Sequence, residues 1–234
     1  MSPHWCQRLN AFGRLLLPTR CLLCAAPGCD GLDLCAACRA DLPWNGSACG
    51  RCGLPQKAQS TQDCGACRLL PPPFARVQSP FCYAYPMDRL LPRFKFHGDL
   101  AAGALLATLM SWAMDPQDRP EALVPVPLHR SRLRKRGYDQ ALELARLLAR
   151  AGAPPVVAHA LFRARPTSAQ SELGAEARRQ NVRAAFALQP GAKLPAHVAL
   201  VDDVMTTGAT VSECARVLLA AGVQRVQVWT IARA

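Results

Sequence analysis

Residues 197–210 read His197-Val198-Ala199-Leu200-Val201-Asp202-Asp203-Val204-Met205-Thr206-Thr207-Gly208-Ala209-Thr210. An apolar run, the signature of a buried strand, ends in two adjacent carboxylates. A short loop of hydroxyl-bearing residues with one glycine follows, and a helical pattern over 211–221 is closed by Gly222. A phosphorylated sugar needs groups in that order. The N–H groups of Met205, Thr206, Thr207, Gly208, Ala209 and Thr210, with the threonine hydroxyls, can wrap a phosphate. The helix start adds roughly half a positive charge, and Gly208 lets the backbone come close. Asp202 and Asp203 can accept hydrogen bonds from two neighbouring ribose hydroxyls. The loop lacks the Gly-Lys-Ser/Thr ending of a Walker-type loop and the three spaced glycines of a dinucleotide fingerprint. The plainer alternative is a strand running into a capped helix, with both aspartates merely solvated.

The stretch resembles the PRPP-binding motif of the type I phosphoribosyltransferases, PRPP being 5-phosphoribosyl 1-pyrophosphate. The resemblance implies that the acidic pair holds the ribose 2′- and 3′-hydroxyls and that the threonine-rich loop holds the 5′-phosphate.

Strand and helix signals alternate on either side of this motif. Strands are expected over 79–85, 122–126, 156–160, 184–188 and 225–232. Helices are expected from Asp99, which caps the first, to about Met114, and from Asp139 to about Ala151. Alternation of this kind predicts an α/β domain with a mostly parallel sheet covered on both faces. Ligands of such sheets sit at the carboxyl ends of the strands. The acidic pair, a Pro127–Gly137 loop rich in arginine and the basic 163–183 segment can converge there.

Ten of the twelve cysteines precede residue 70, and eight of them form Cys-x-x-Cys pairs: Cys21/Cys24, Cys35/Cys38, Cys49/Cys52 and Cys64/Cys67. The two-residue gap lets both thiolates of a turn point at one ion, as tetrahedral zinc requires. Two structural zinc sites are expected, paired either sequentially or interleaved, with Cys29 as an extra candidate ligand. Iron–sulfur ligation uses the same residues. Disulfides need an oxidising compartment, and a single redox pair would not need four copies. Cys6, Cys82 and Cys214 read as small buried residues. Large apolar residues are sparse in this region, so metal would supply much of its folding energy, and chelation is expected to unfold 20–70 and spare the rest. The run Pro71-Pro72-Pro73 is stiff and marks the boundary between residues 1–70 and a domain over 74–234.

Half of the residues are apolar, which excludes a disordered chain. The formal net charge is +12, and two zinc ions on eight thiolates would leave about +8. That balance favours anionic partners, phosphates or nucleic acid. No convincing signal peptide or bilayer-spanning run is present, which predicts a cytoplasmic protein.

Taken together, the four cysteine pairs, Phe94-Lys95-Phe96-His97-Gly98-Asp99, Pro125-Val126-Pro127-Leu128, Arg136-Gly137-Tyr138-Asp139-Gln140, residues 163–170, 178–186 and 200–210 resemble the ComF (GntX-like) family. That resemblance covers nearly the whole chain, with Asp139 standing where an asparagine is usual. It implies a double zinc ribbon joined to a type I phosphoribosyltransferase domain, and a role in competence and DNA uptake. A similarity to glutamine amidophosphoribosyltransferases implies that the 127–137 loop contacts pyrophosphate and that 163–183 forms a hood. On these terms the expected activity is Mg²⁺-dependent phosphoribosyl transfer to an unknown acceptor. Asp202, Asp203, Arg130, Arg165 and Arg178 are the expected catalytic set, and His129 and Arg130 join Asp202, Asp203 and the 205–210 loop in binding PRPP. A non-catalytic accessory protein that binds single-stranded DNA is the alternative, with competence-machinery proteins as further partners.

Overall fold

A computed structural model describes residues 18–57, 62–164 and 184–234. In chain order they form α1 (Ala36–Ala40), α2 (Gly65–Leu69), β1 (Arg76–Gln78), β2 (Phe81–Cys82), α3 (Met87–His97), α4 (Leu100–Ala113), β3 (Ala122–Pro125), α5 (Arg130–Arg136), α6 (Gln140–Arg150), β4 (Leu161–Arg163), β5 (Phe186–Leu188), β6 (His197–Met205), α7 (Ala209–Ala220) and β7 (Arg225–Arg233). The sheet runs β1-β7-β6-β3, with β2 also on β7, and every pairing in it is parallel.

The apolar run of β6 puts it at the centre of this sheet, because only a strand covered on both faces can be apolar throughout. Ala199 and Val201 join Trp229, Phe94, Leu106 and Leu144 in one core, supplied by α3, α4 and α6. Val198 and Leu200 join Val228 and the Val211, Cys214 and Leu218 face of α7 in the other. The Asp99 cap forms as expected, its Oδ1 accepting the N–H of Ala102 at 3.0 Å, and Asp139 also caps its helix, Oδ1 accepting the N–H groups of Ala141 and Leu142 at 3.0 and 3.1 Å.

Three expectations need correction. Of the strand expected over 79–85 only Phe81–Cys82 (β2) pairs with the sheet, Pro80 having no N–H for the ladder, and an unexpected strand, β1, precedes it at Arg76–Gln78. The strand expected over 156–160 is reduced to one parallel bridge from Val156 to Leu123. His159, at φ +59°, turns the chain away, and β4 then pairs antiparallel with β5 outside the main sheet. The expected 127–137 loop contains a helix, α5, whose first turn is capped by His129.

The cysteine module is joined to the sheet by more than chain continuity. Leu32, Leu34 and Leu42 lie in the same apolar cluster as Met87, Leu90 and Phe94. Trp44 packs on Phe81 with ring centroids 4.6 Å apart. The Asn45 N–H donates to Pro80 O at 2.7 Å, and the Cys82 N–H to Pro43 O at 2.8 Å, so the module covers the free edge of β2. Independent unfolding of 20–70 after metal removal does not follow from a shared core of this kind. Among the described residues, no helix is long and apolar enough to cross a membrane.

Candidate functional site

β6 does not stop at the acidic pair; it carries both aspartates inside its last turn of ladder and ends at Met205. The two carboxylates part company there. Asp203 is buried, 3 % exposed, and its Oδ2 lies 2.7 Å from Lys95 Nζ on α3. Asp202 instead lines a small pocket with Val204, Met205 and the 206–211 segment. Burial, and next the charge of Asp203, push the Asp202 carboxyl from its ordinary 3.8 up to about 8, with Lys95 pulling the other way. The N–H of Asp203 donates to Asp202 Oδ1, and that of Val204 to Asp203 Oδ1, both at 2.8 Å.

The loop beyond is shaped by Gly208. Its φ of +73° suits glycine, and a Cβ there would meet Met205 Cε at 2.5 Å. Gly208 is the N-cap of α7 and contributes no side chain to the cap. The Ala209 N–H reaches only the Thr207 hydroxyl, at 3.4 Å. Met205, Thr206, Thr207, Gly208, Ala209 and Thr210 therefore all border the pocket at the start of a twelve-residue helix, a place where an anion is favoured.

Of the expected cations, Arg130 is exposed at the start of α5, and Arg165 and Arg178 lie outside the described residues. His129 is occupied in capping α5: its Nδ1 accepts the Ser131 N–H at 3.2 Å and lies 2.7 Å from the Ser131 hydroxyl. Another arginine interacts with Asp202. Arg163 on β4 is 8 % exposed, with its guanidinium 5.1 Å from the Phe186 ring centroid. Burial, and next the charge of Arg132, bring it down to about 10, while Cys214 and Asp202 act in the opposite sense. It stays charged at neutral pH. Arg132 and Arg136 are half-buried while Arg130 and Arg134 are exposed. The reason is helical phase: residues four apart share a face of α5, and residues two apart lie on opposite sides.

Sequence reasoning quoted 94–99 and 136–140 without assigning site roles to Lys95 or Arg136. The signal was there: a lysine between two phenylalanines, and arginines spaced i, i+4.

The thiols answer the pairing question left open by spacing. Cys21, Cys24, Cys35 and Cys38 form one group, and Cys49, Cys52, Cys64 and Cys67 another, with all sulfurs of a group within 4.8 Å of each other. Sulfur separations of 3.6 Å (Cys24–Cys35), 3.7 Å (Cys24–Cys38) and 3.8 Å (Cys52–Cys64) fit the edge of a tetrahedron about a zinc ion, roughly 3.8 Å for a Zn–S bond of about 2.3 Å. Pairing is sequential. Cys29 stands apart and donates to Leu34 O. Cys82 belongs to neither group, and Cys214 is fully buried under Asp202. Burial would raise the Cys21 thiol, yet the N–H groups of Cys35, Cys24 and Leu23 outweigh it and bring Cys21 down to about 6. Cys49 is held at about 7 in the same way. These N–H groups favour thiolate, the form zinc binds.

The fold and site define a class: a double cysteine ribbon built for structural zinc, packed on a parallel α/β domain whose central strand delivers an acidic pair to a small-residue loop. Comparison with known proteins agrees. A family model described as "Double zinc ribbon domain" matches residues 12–68. The DNA utilization protein YhgH of Salmonella typhimurium is 34 % identical over 229 residues, covering 94 % of this chain and 99 % of that protein. Competence protein F of Haemophilus influenzae is 36 % identical over 209 residues, covering 86 % and 90 %. Competence protein ComFC of Bacillus subtilis is 29 % identical over 199 residues, covering 81 % and 79 %. The chain belongs to the ComF family, that of competence protein F.

Proposed function

We propose that this chain is a PRPP-binding protein of the phosphoribosyltransferase type, serving DNA uptake or utilization. The observation that carries the reading is the pocket of Asp202 and residues 204–211 at the start of α7. A carboxyl group at the rim of an anion-favouring helix start suits a sugar with a phosphate on its 5′ carbon. Asp202 faces the ribose hydroxyls, the 205–210 backbone and the Thr206, Thr207 and Thr210 hydroxyls face the 5′-phosphate, and Asp203 orders the site through Lys95. Arg132, Arg136 and Arg163 supply positive charge for the leaving pyrophosphate, arginine being suited to bidentate phosphate contacts. Mg²⁺ bound with the substrate would supply further positive charge for the pyrophosphate beside these arginines. Bond breaking at the anomeric carbon develops oxocarbenium character. The link to DNA rests on the names of the relatives, which include competence and DNA utilization proteins.

Calorimetry with PRPP and Mg²⁺ tests the reading. The parent should bind, and Asp202→Asn and Thr207→Val should each weaken binding about tenfold or more, as expected for removing a hydrogen bond to a charged group. Equal heats for parent and variants would reject it.

A second reading, binding of single-stranded DNA without turnover, is favoured by the +12 formal charge. Binding through phosphates weakens steeply with salt. Failure to bind labelled single strands at low salt would dismiss it.

A further inference from the structure

Phe96 is 62 % exposed, yet its ring is held. The Arg136 guanidinium lies over it, 5.0 Å from the centroid. The Lys95 ammonium is 5.9 Å from the same centroid and 2.7 Å from Asp203 Oδ2, so ring and acidic pair share one cation. Arg136 Nη1 is buried with no hydrogen-bond partner among the described residues. The guanidinium therefore lies over the ring with that donor unsatisfied. Two residues back along α3, Phe94 is fully buried and meets Tyr138 edge-on at 6.1 Å, which anchors the helix. Packing does not account for Phe96: among the described residues it belongs to neither apolar cluster, and most of its surface is open. A fixed, open aromatic face flanked by cations suits stacking with a flat, electron-rich ring.

We propose that Phe96 is the platform on which the planar heteroaromatic ring of the phosphoribosyl acceptor stacks, a proposal that rests on the PRPP reading above. In the transfer, the lone pair of a ring nitrogen forms the bond to the ribose anomeric carbon. The bond from that carbon to pyrophosphate oxygen breaks, and pyrophosphate leaves with the electron pair. The proton released from the ring nitrogen passes to water.

The zinc-loaded full chain is titrated with adenine, uracil, ribose 5-phosphate and an oligothymidylate, alongside Phe96→Leu and Phe96→Tyr. At least one free base should bind the parent and Phe96→Tyr alike and bind Phe96→Leu about tenfold more weakly, the loss expected for one stacked base. Ribose 5-phosphate should bind all three chains equally. The proposal is overturned if no free base binds, if the leucine variant binds the base as well as the parent does, or if only the oligonucleotide depends on Phe96. Phe96-dependent base binding in a chain that ignores ribose 5-phosphate would sink the phosphate-loop reading and leave the platform standing.

Discussion

Lys95 and Asp203 form an ion pair across the carboxyl end of the central strand, Nζ to Oδ2 2.7 Å, with the aspartate side chain 4 % exposed and the lysine 27 %. A buried carboxylate held by one cation tolerates loss of that cation poorly. Lys95→Met should lower unfolding free energy by roughly 3 kcal/mol, and Lys95→Arg should retain most of it. A double variant, Lys95→Met with Asp203→Asn, should recover much of the loss, because the charge left stranded is then gone. Urea denaturation of the four chains measures this; a Lys95→Met midpoint equal to that of the parent would show that the pair does not support the strand.

The two neighbouring carboxyls give the protein a pH dependence. Asp202 is pushed up to about 8 in the folded chain, from an ordinary 3.8. Between those values the folded state holds a proton that the unfolded state has released, so stability falls as pH rises through the window, at up to about 1.4 kcal/mol per unit. Asp202→Asn should flatten the curve and be more stable than the parent at pH 8, with little difference at pH 4. Denaturation at several pH values checks both; parallel curves for parent and variant would contradict the assignment.

Zinc should be present at two ions per chain. Sequential pairing predicts that Cys21→Ser and Cys38→Ser each abolish the first site and leave the second, while Cys49→Ser and Cys67→Ser do the reverse. Metal content of the double variant Cys21→Ser/Cys38→Ser, read by mass spectrometry, distinguishes this from interleaving: sequential pairing leaves one zinc per chain, interleaving leaves none.

Chelation should loosen more than the ribbons. Leu32, Leu34 and Leu42 share a core with α3, so removing zinc is expected to raise hydrogen exchange in Met87–His97 as well as in the cysteine module. Protection of α3 that survives complete zinc removal would show that the two parts are energetically separate.

Gly208→Ala is expected to cost about 1–2 kcal/mol, from a non-glycine residue at φ +73° and a Cβ driven against Met205 Cε. The same variant should bind ribose 5-phosphate more weakly. Thermal unfolding and calorimetry read the two effects, and an alanine variant matching the parent in both would mean that the loop has another shape.

Much of the site was legible because its signals are local. The period of apolar residues gave β6 and the helices after Asp99 and Asp139, and a two-residue gap between thiols gave the metal-binding turns. Treating 127–137 as a loop left out the helical phase of α5, which half-buries Arg132 and Arg136 and leaves Arg130 exposed.

What the chain determines by itself is which short segments form and which chemistry they carry: a strand ending in carboxylates, a hydroxyl loop before a helix, and four thiol pairs. Only the packed structure decides which groups meet. Cys24 lies beside Cys35 rather than Cys49, Lys95 lies on Asp203, and Asp202 alone of the two acids lines the loop pocket. The physical reason is range. Backbone propensity and hydrophobic period act over a few residues, whereas these pairings join elements far apart in sequence, oriented by the two faces of one sheet.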